Sequence, residues 1–163
     1  MNDGIRMIVA SYVSLGKVDA LIDMKRHREN ILQSIKTDPV YALPRDACLS
    51  DIDEIDKGLM EALNRTPFHG HVDRIDEERI SGWAQFKDYP DIPVSLSIYR
   101  DGQLVRTLIA DQFRADLRDQ GFGSGNHGFS LVSNHALFDG ASLIEVQTSD
   151  GRVLHKGSWT RPS

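Results

Sequence analysis

The chain has 163 residues, 40% of them hydrophobic and 26% charged, which describes a folded globular protein rather than a disordered chain. A formal net charge of −5 argues against nucleic acid or an anionic membrane as partner, because both need clustered Lys and Arg. The single cysteine, Cys48, excludes an intrachain disulfide, so burial has to hold the fold together.

The apolar residues near the start, Ile5 and Met7 to Ala10, are too few and too interrupted for a signal peptide or a membrane span. The expected compartment is therefore the cytoplasm, with export inside a larger assembly as the other route. Ile5, Ile8, Tyr12 and Leu15 fall on one helical stripe. After Gly16, a second amphipathic helix carries Val18, Leu21, Ile22, Ile31, Leu32 and Ile35. Its middle, Lys25 to Glu29, is polar throughout and reads as a solvated face, which argues against a long coiled coil. Thr37-Asp38-Pro39 stops it, and an extended connector is expected to Pro44. Asp51 with Glu54 resembles a capping box for a third helix, whose apolar face runs through Ile52, Ile55, Leu59, Met60 and Leu63. The acidic run at 51–56 fails as a calcium loop, since Ile55 stands where an EF-hand needs an oxygen ligand.

From about residue 67 the pattern becomes strand and turn: 71–75, 80–86, 94–99, 104–111, 128–133, 143–148 and 153–156. Asp101-Gly102 and Asp150-Gly151 are hairpin turns, in which glycine supplies the positive φ. Short strands with closely spaced turns predict a mainly β fold: an antiparallel two-sheet β-sandwich, jelly-roll-like or Ig-like, over 67–163, preceded by an α-helical segment over 1–66 for attachment or oligomerisation. Trp83, Leu96, Ile98, Leu108, Phe129, Leu131, Ile144 and Val146 are its expected filling.

The segment Phe113 to Phe129 is too patterned for a plain connector. Arg114 and Asp116, two positions apart, are expected to clamp a rigid corner through charge-assisted bonds. The glycines at 121, 123, 125 and 128 reverse the chain into a strand; they lack the Lys-Ser/Thr pair of a phosphate loop. Gly-Phe-Gly-Ser-Gly is not a nucleophile elbow, because serine stands at the wrong position. No cofactor and no metal is expected, although His69 and His71 alternate as chelating strand residues do. The carboxylates Asp73, Asp76, Glu77 and Glu78 read as a solvated turn rather than a hydrolytic pair. Planar polar groups beside aromatic faces suit a sugar ring, which makes Trp83, Tyr89, Arg114, Asp116, Phe122, Asn126 and His127 the candidate ligand-binding residues.

Ordered motifs extend over residues 70 to 157: Gly70-His71-Val72-Asp73, Ile80-Ser81-Gly82-Trp83-Ala84, Pro93-Val94, Asp101-Gly102, Ala110-Asp111, Phe113-Arg114-Ala115-Asp116-Leu117, Gly121-Phe122-Gly123 and His127-Gly128-Phe129. Together they resemble a β-sandwich module of alphaproteobacterial proteins, often attached to glycosyltransferases and other proteins of surface-polysaccharide metabolism. The resemblance implies a non-catalytic accessory domain that recognises carbohydrate, and it does not extend to residues 1–66. The leading expectation is thus a non-enzymatic binding module for a glycan or glycan-bearing surface, with the helices engaging a protein partner or forming a homo-oligomer. The alternatives are a structural component of a phage-like particle, such as a spike or fibre base, and a metal-dependent hydrolase using His69 and His71.

Overall fold

A computed structural model describes residues 3–35 and 39–163, and the chain divides into two compact units, Met1–Arg65 and Thr66–Ser163. Each is described by itself.

The first unit packs three helices: α1 (Asp3–Ser14), α2 (Val18–Ser34) and α3 (Ala42–Leu63), the last preceded by a 3-10 turn at Pro39–Tyr41. The buried stripe of α1 is Ile5, Val9 and Val13, whereas Ile8 and Leu15, expected to face inward, are exposed. Docking onto α3 chooses between the two stripes. A Cβ on Gly58 would lie 2.3 Å from Val9 Cγ1, so the missing side chain lets the helices approach there. The third helix starts nine residues before Asp51. Pro44 sits in its first turn, where a missing N–H costs nothing, so the expected extended connector is in part helix. The expected stop at Thr37-Asp38 lies outside the described residues.

Asp51 is consequently not a cap. It accepts a 2.9 Å bond from Arg28 Nε, and Lys25 Nζ lies 2.8 Å from Asp56, so half of the basic run expected to be a solvated face ties α2 to α3. Glu54 pairs with Arg6 and Asp53 with Lys57, so every carboxylate of the 51–56 run has a cation partner.

The second unit is mainly β, with strands β1 (Phe68–Ile75), β2 (Arg79–Phe86), β3 (Val94–Arg100), β4 (Gln103–Ala110), β5 (Gln112–Phe113), β6 (Asn126–Val132), β7 (Leu143–Thr148) and β8 (Val153–Thr160). Short helices α4 (Ala115–Asp119) and α5 (His135–Phe138) flank β6. Hydrogen bonds join all eight strands into one sheet in the order β4-β3-β7-β8-β1-β2-β6-β5. The sheet curls until β4 approaches β6, which makes it nearly a barrel. It is mixed rather than wholly antiparallel, because β1 and β8 run parallel where His71 meets His155.

Asp101 and Gly102 turn β3 into β4 with φ of 49° and 84°, both left-handed as a primed hairpin turn requires. Asp101 Oδ1 also accepts the backbone N–H groups of Ser142 and Leu143, at 2.9 and 2.8 Å, tying this turn to the start of β7. Leu96, Ile98, Ile144 and Val146 are fully buried, as the alternation predicts. Trp83 is not core: Ile80, Gly82 and Ala84 take the inward positions of β2 and leave it half-buried on the opposite face.

Candidate functional site

That opposite face carries a row of aromatic side chains on three adjacent strands. The pairing sets His155 of β8 beside His71 of β1, and His71 beside Trp83 of β2. The His71 and His155 rings stand 5.1 Å apart. Trp83 is followed across the sheet by Gly128 of β6, over which the Arg114 side chain lies. Phe122, from the loop after α4, leans over the Trp83 ring with centroids 4.7 Å apart at 49°, and His69 also meets Phe122 edge-on at 6.4 Å.

Arg114 closes the end of this row. Its guanidinium takes Asp116 through two bonds, Nε to Oδ1 at 3.1 Å and Nη2 to Oδ2 at 2.6 Å, and reaches Asp73 of β1 through Nη1. The expected clamp thus has a third member from elsewhere in the chain. The Arg114 guanidinium holds the Asp116 carboxyl below the ordinary carboxylate range, because it binds only the ionised form. The Arg114 stem crosses Gly128, where an added Cβ would lie 2.9 Å from Cδ, and its backbone N–H donates to Gly125 O at 2.9 Å. Gly125, at φ 82°, has no space for a side chain, since a Cβ would sit 2.7 Å from Arg114 O.

Below the loop lies His127, only 2% exposed, with Nε2 lacking a hydrogen-bond partner and directed toward Gly123 and the buried Gln85. Asn126 is exposed beside it and, with Ser124, Asp111, Asp91, Pro90 and Pro93, lines an open cleft of about 540 Å³. Tyr89 is half-buried in the β2–β3 connection, where its carbonyl accepts Ile92 N–H at 3.1 Å. The structure therefore gathers Trp83, Phe122, Arg114 and Asp116 at one place. Asn126 faces the cleft, and His127 is inside.

No family model, curated protein or solved structure matches the chain.

Among the described residues, no group of three or more His, Cys, Asp or Glu side chains is placed to hold a metal ion, and no helix is long and apolar enough to cross a membrane. His69 packs on Phe122 and His71 on His155. His155 is the member of this surface that the sequence does not announce, since only its pairing with β1 brings it there. Asp73, read as part of a solvated turn, lies on β1 and pairs with Arg114. Asp76, read as part of a solvated turn, builds the β1–β2 turn by accepting the N–H groups of Glu78 and Arg79.

Proposed function

We propose that the β unit is a non-enzymatic recognition module for a glycan, with the row His155, His71 and Trp83 and the overlying Phe122 as its platform. The observation that carries the reading is the Trp83–Phe122 pair standing next to an ion-paired guanidinium. Apolar ring faces take the C–H side of a sugar, while Arg114, Asp73 and Asp116 offer fixed donors and acceptors to hydroxyls at its edge. The neighbouring cleft, with Asp91, Asp111, Ser124 and Asn126, supplies further hydroxyl-binding groups for a second sugar unit. In this reading β4-β3-β7 and β1-β2-β6-β5 work as the two layers of a sandwich joined through β8. The motif likeness to modules of surface-polysaccharide proteins points to the same ligand class.

The helical unit serves attachment. Met7, Ile8 and Leu15 share one side of α1 and its end while remaining exposed, with Leu43 exposed on α3, and such residues suit a protein partner or a second copy.

Titration calorimetry against bacterial surface polysaccharides, on the full chain and on Trp83→Ala, tests the glycan reading. Measurable affinity that falls about ten-fold in the variant supports it, equivalent to one lost stacking contact. Absence of heat with every polysaccharide at millimolar concentration removes it. Light scattering at rising concentration separates the rival role in an oligomeric phage-like particle: a persistent monomer counts against assembly.

A further inference from the structure

The curl of the sheet stops short of closure, and a cavity of about 290 Å³ occupies the gap between β4, β6 and α5. Ile98 forms part of its wall, with Val105, Leu131 and Leu137 around it. Two arginines, Arg100 and Arg106, line the same space.

Their presence there follows from register. Arg106 pairs across the hairpin with the fully buried Ile98, and Arg100 lies two residues beyond Ile98 on β3, so both arise on the core-facing side. The register slips between Ile98 and Tyr99, the latter pairing with Leu104, so the unpaired Val105 bulges beside Arg106. Both side chains thereby reach one cavity. Neither arginine forms an ion pair among the described residues. Arg100 donates to the carbonyl of Asp139, and the nearby carboxylate Asp101 is occupied by the N–H groups of Ser142 and Leu143. Eight of the eleven other arginines have carboxylate partners, namely Arg6, Arg26, Arg28, Arg65, Arg74, Arg114, Arg118 and Arg152, whereas Arg79 and Arg161 do not line this cavity. In a chain of net charge −5, the half-buried Arg100 and the exposed Arg106 bring two cations to the rim of an apolar wall, with no carboxylate in ion-pair contact with either among the described residues.

We propose that this cavity binds a small amphiphilic carboxylate, its apolar tail against Ile98, Leu131 and Leu137 and its head between Arg100 and Arg106. The pairing follows from the lining: an apolar wall favours burial of a short hydrocarbon, and a guanidinium binds a carboxylate through two parallel N–H donors. The site is separate from the aromatic row and does not depend on the glycan reading.

The test is a titration of the 15N-labelled full chain with octanoate below its micelle concentration, followed by amide shifts, with octanol and acetate as matched probes. The expected result is saturable shifts grouped at Val105, Arg106, Leu131 and Leu137, with both control ligands about ten-fold weaker or more. In Arg106→Gln and in Arg100→Gln/Arg106→Gln, octanoate affinity drops about ten-fold or more while octanol binding stays the same. Octanol binding as well as octanoate, shifts scattered over the surface, or unchanged octanoate affinity in the double variant would each overturn the proposal. Both arginines lie at the cavity mouth rather than in the packed core, and an unchanged amide spectrum elsewhere verifies that the variants fold.

Discussion

The rings of Trp83 and Phe122 meet at 4.7 Å, one on the outer face of β2 and the other on the loop that crosses above it. Phe122 thus anchors the glycine-rich crossover to the sheet, and it shields one side of an indole that the core does not use. Phe122→Ala is expected to cost about 1 to 2 kcal/mol, less than a fully buried phenylalanine, and to shift the native fluorescence of Trp83 to the red. Both tryptophans, Trp83 and Trp159, belong to the β unit, so denaturant unfolding followed by fluorescence reads that unit alone.

Gly82 is the position least tolerant of a side chain. A Cβ there would meet His71 O at 2.2 Å and Val72 Cα at 2.9 Å, both backbone atoms of the paired strand, with Phe129 Cζ at 2.9 Å on another side. Backbone cannot rotate away as a side chain can, so Gly82→Ala should destabilise the β unit by about 2 kcal/mol or more. An unfolding midpoint close to the parent's would refute the close approach.

Arg114 joins Asp73 on β1 to Asp116 on α4, and the planar fork is what permits both bonds at once. Arg114→Lys keeps the charge but not the fork. Its expected cost is small, about 0.5 to 1 kcal/mol, because the site is partly solvated. Hydrogen exchange is the sharper readout: the N–H of Arg114, bonded to Gly125 O, and that of Gly125, bonded to Phe122 O, should exchange faster in the variant while the β3–β4 ladder keeps its protection.

Acid should loosen the same corner and the β3–β4 turn. Backbone N–H donors from Leu143 and Ser142 lower the pKa of Asp101, and Arg114 lowers that of Asp116. A carboxyl with a depressed folded-state pKa contributes stability that is complete above the unfolded value of about 3.9 and is lost as pH falls through the lower folded value. The β unit should therefore be insensitive to Asp101 above about pH 5 and lose that contribution below about pH 4. In Asp101→Asn the acid-side slope of stability against pH should flatten, and carbon-13 titration of the carboxyls should place Asp101 and Asp116 below the ordinary range.

Arg28 and Asp51 connect α2 to α3 at 2.9 Å with side chains only 26% and 15% exposed. A double-mutant cycle on Arg28→Ala and Asp51→Ala, read by helical circular dichroism, should return a coupling of about 1 kcal/mol, the upper end for pairs in contact with water. A coupling near zero would mean that this polar stretch of α2 is solvated after all.

Local rules made much of the molecule legible. The Asp101-Gly102 hairpin, the alternating strands around Leu96, Ile98, Ile144 and Val146, and the Arg114–Asp116 clamp all depend on residues close in sequence or on a period set by the backbone. The aromatic row was legible only in part. Trp83 and Phe122 stand out as large aromatics beside a built loop, but no local pattern distinguishes a ring on the outer face of a strand from one in the core.

What the sequence determined alone was the mainly β character of the second unit, the helical character of the first and the positions of the turns, because each follows from hydrophobic period and from the φ that glycine permits. Long-range pairing decided the rest. Only the parallel meeting of β1 and β8 brings His155 to His71, only the docking of α1 on Gly58 selects Val9 and Val13 over Ile8, and only the incomplete curl of the sheet gathers Arg100 and Arg106 around one cavity. Such contacts depend on the summed packing of distant segments, which no window along the chain contains.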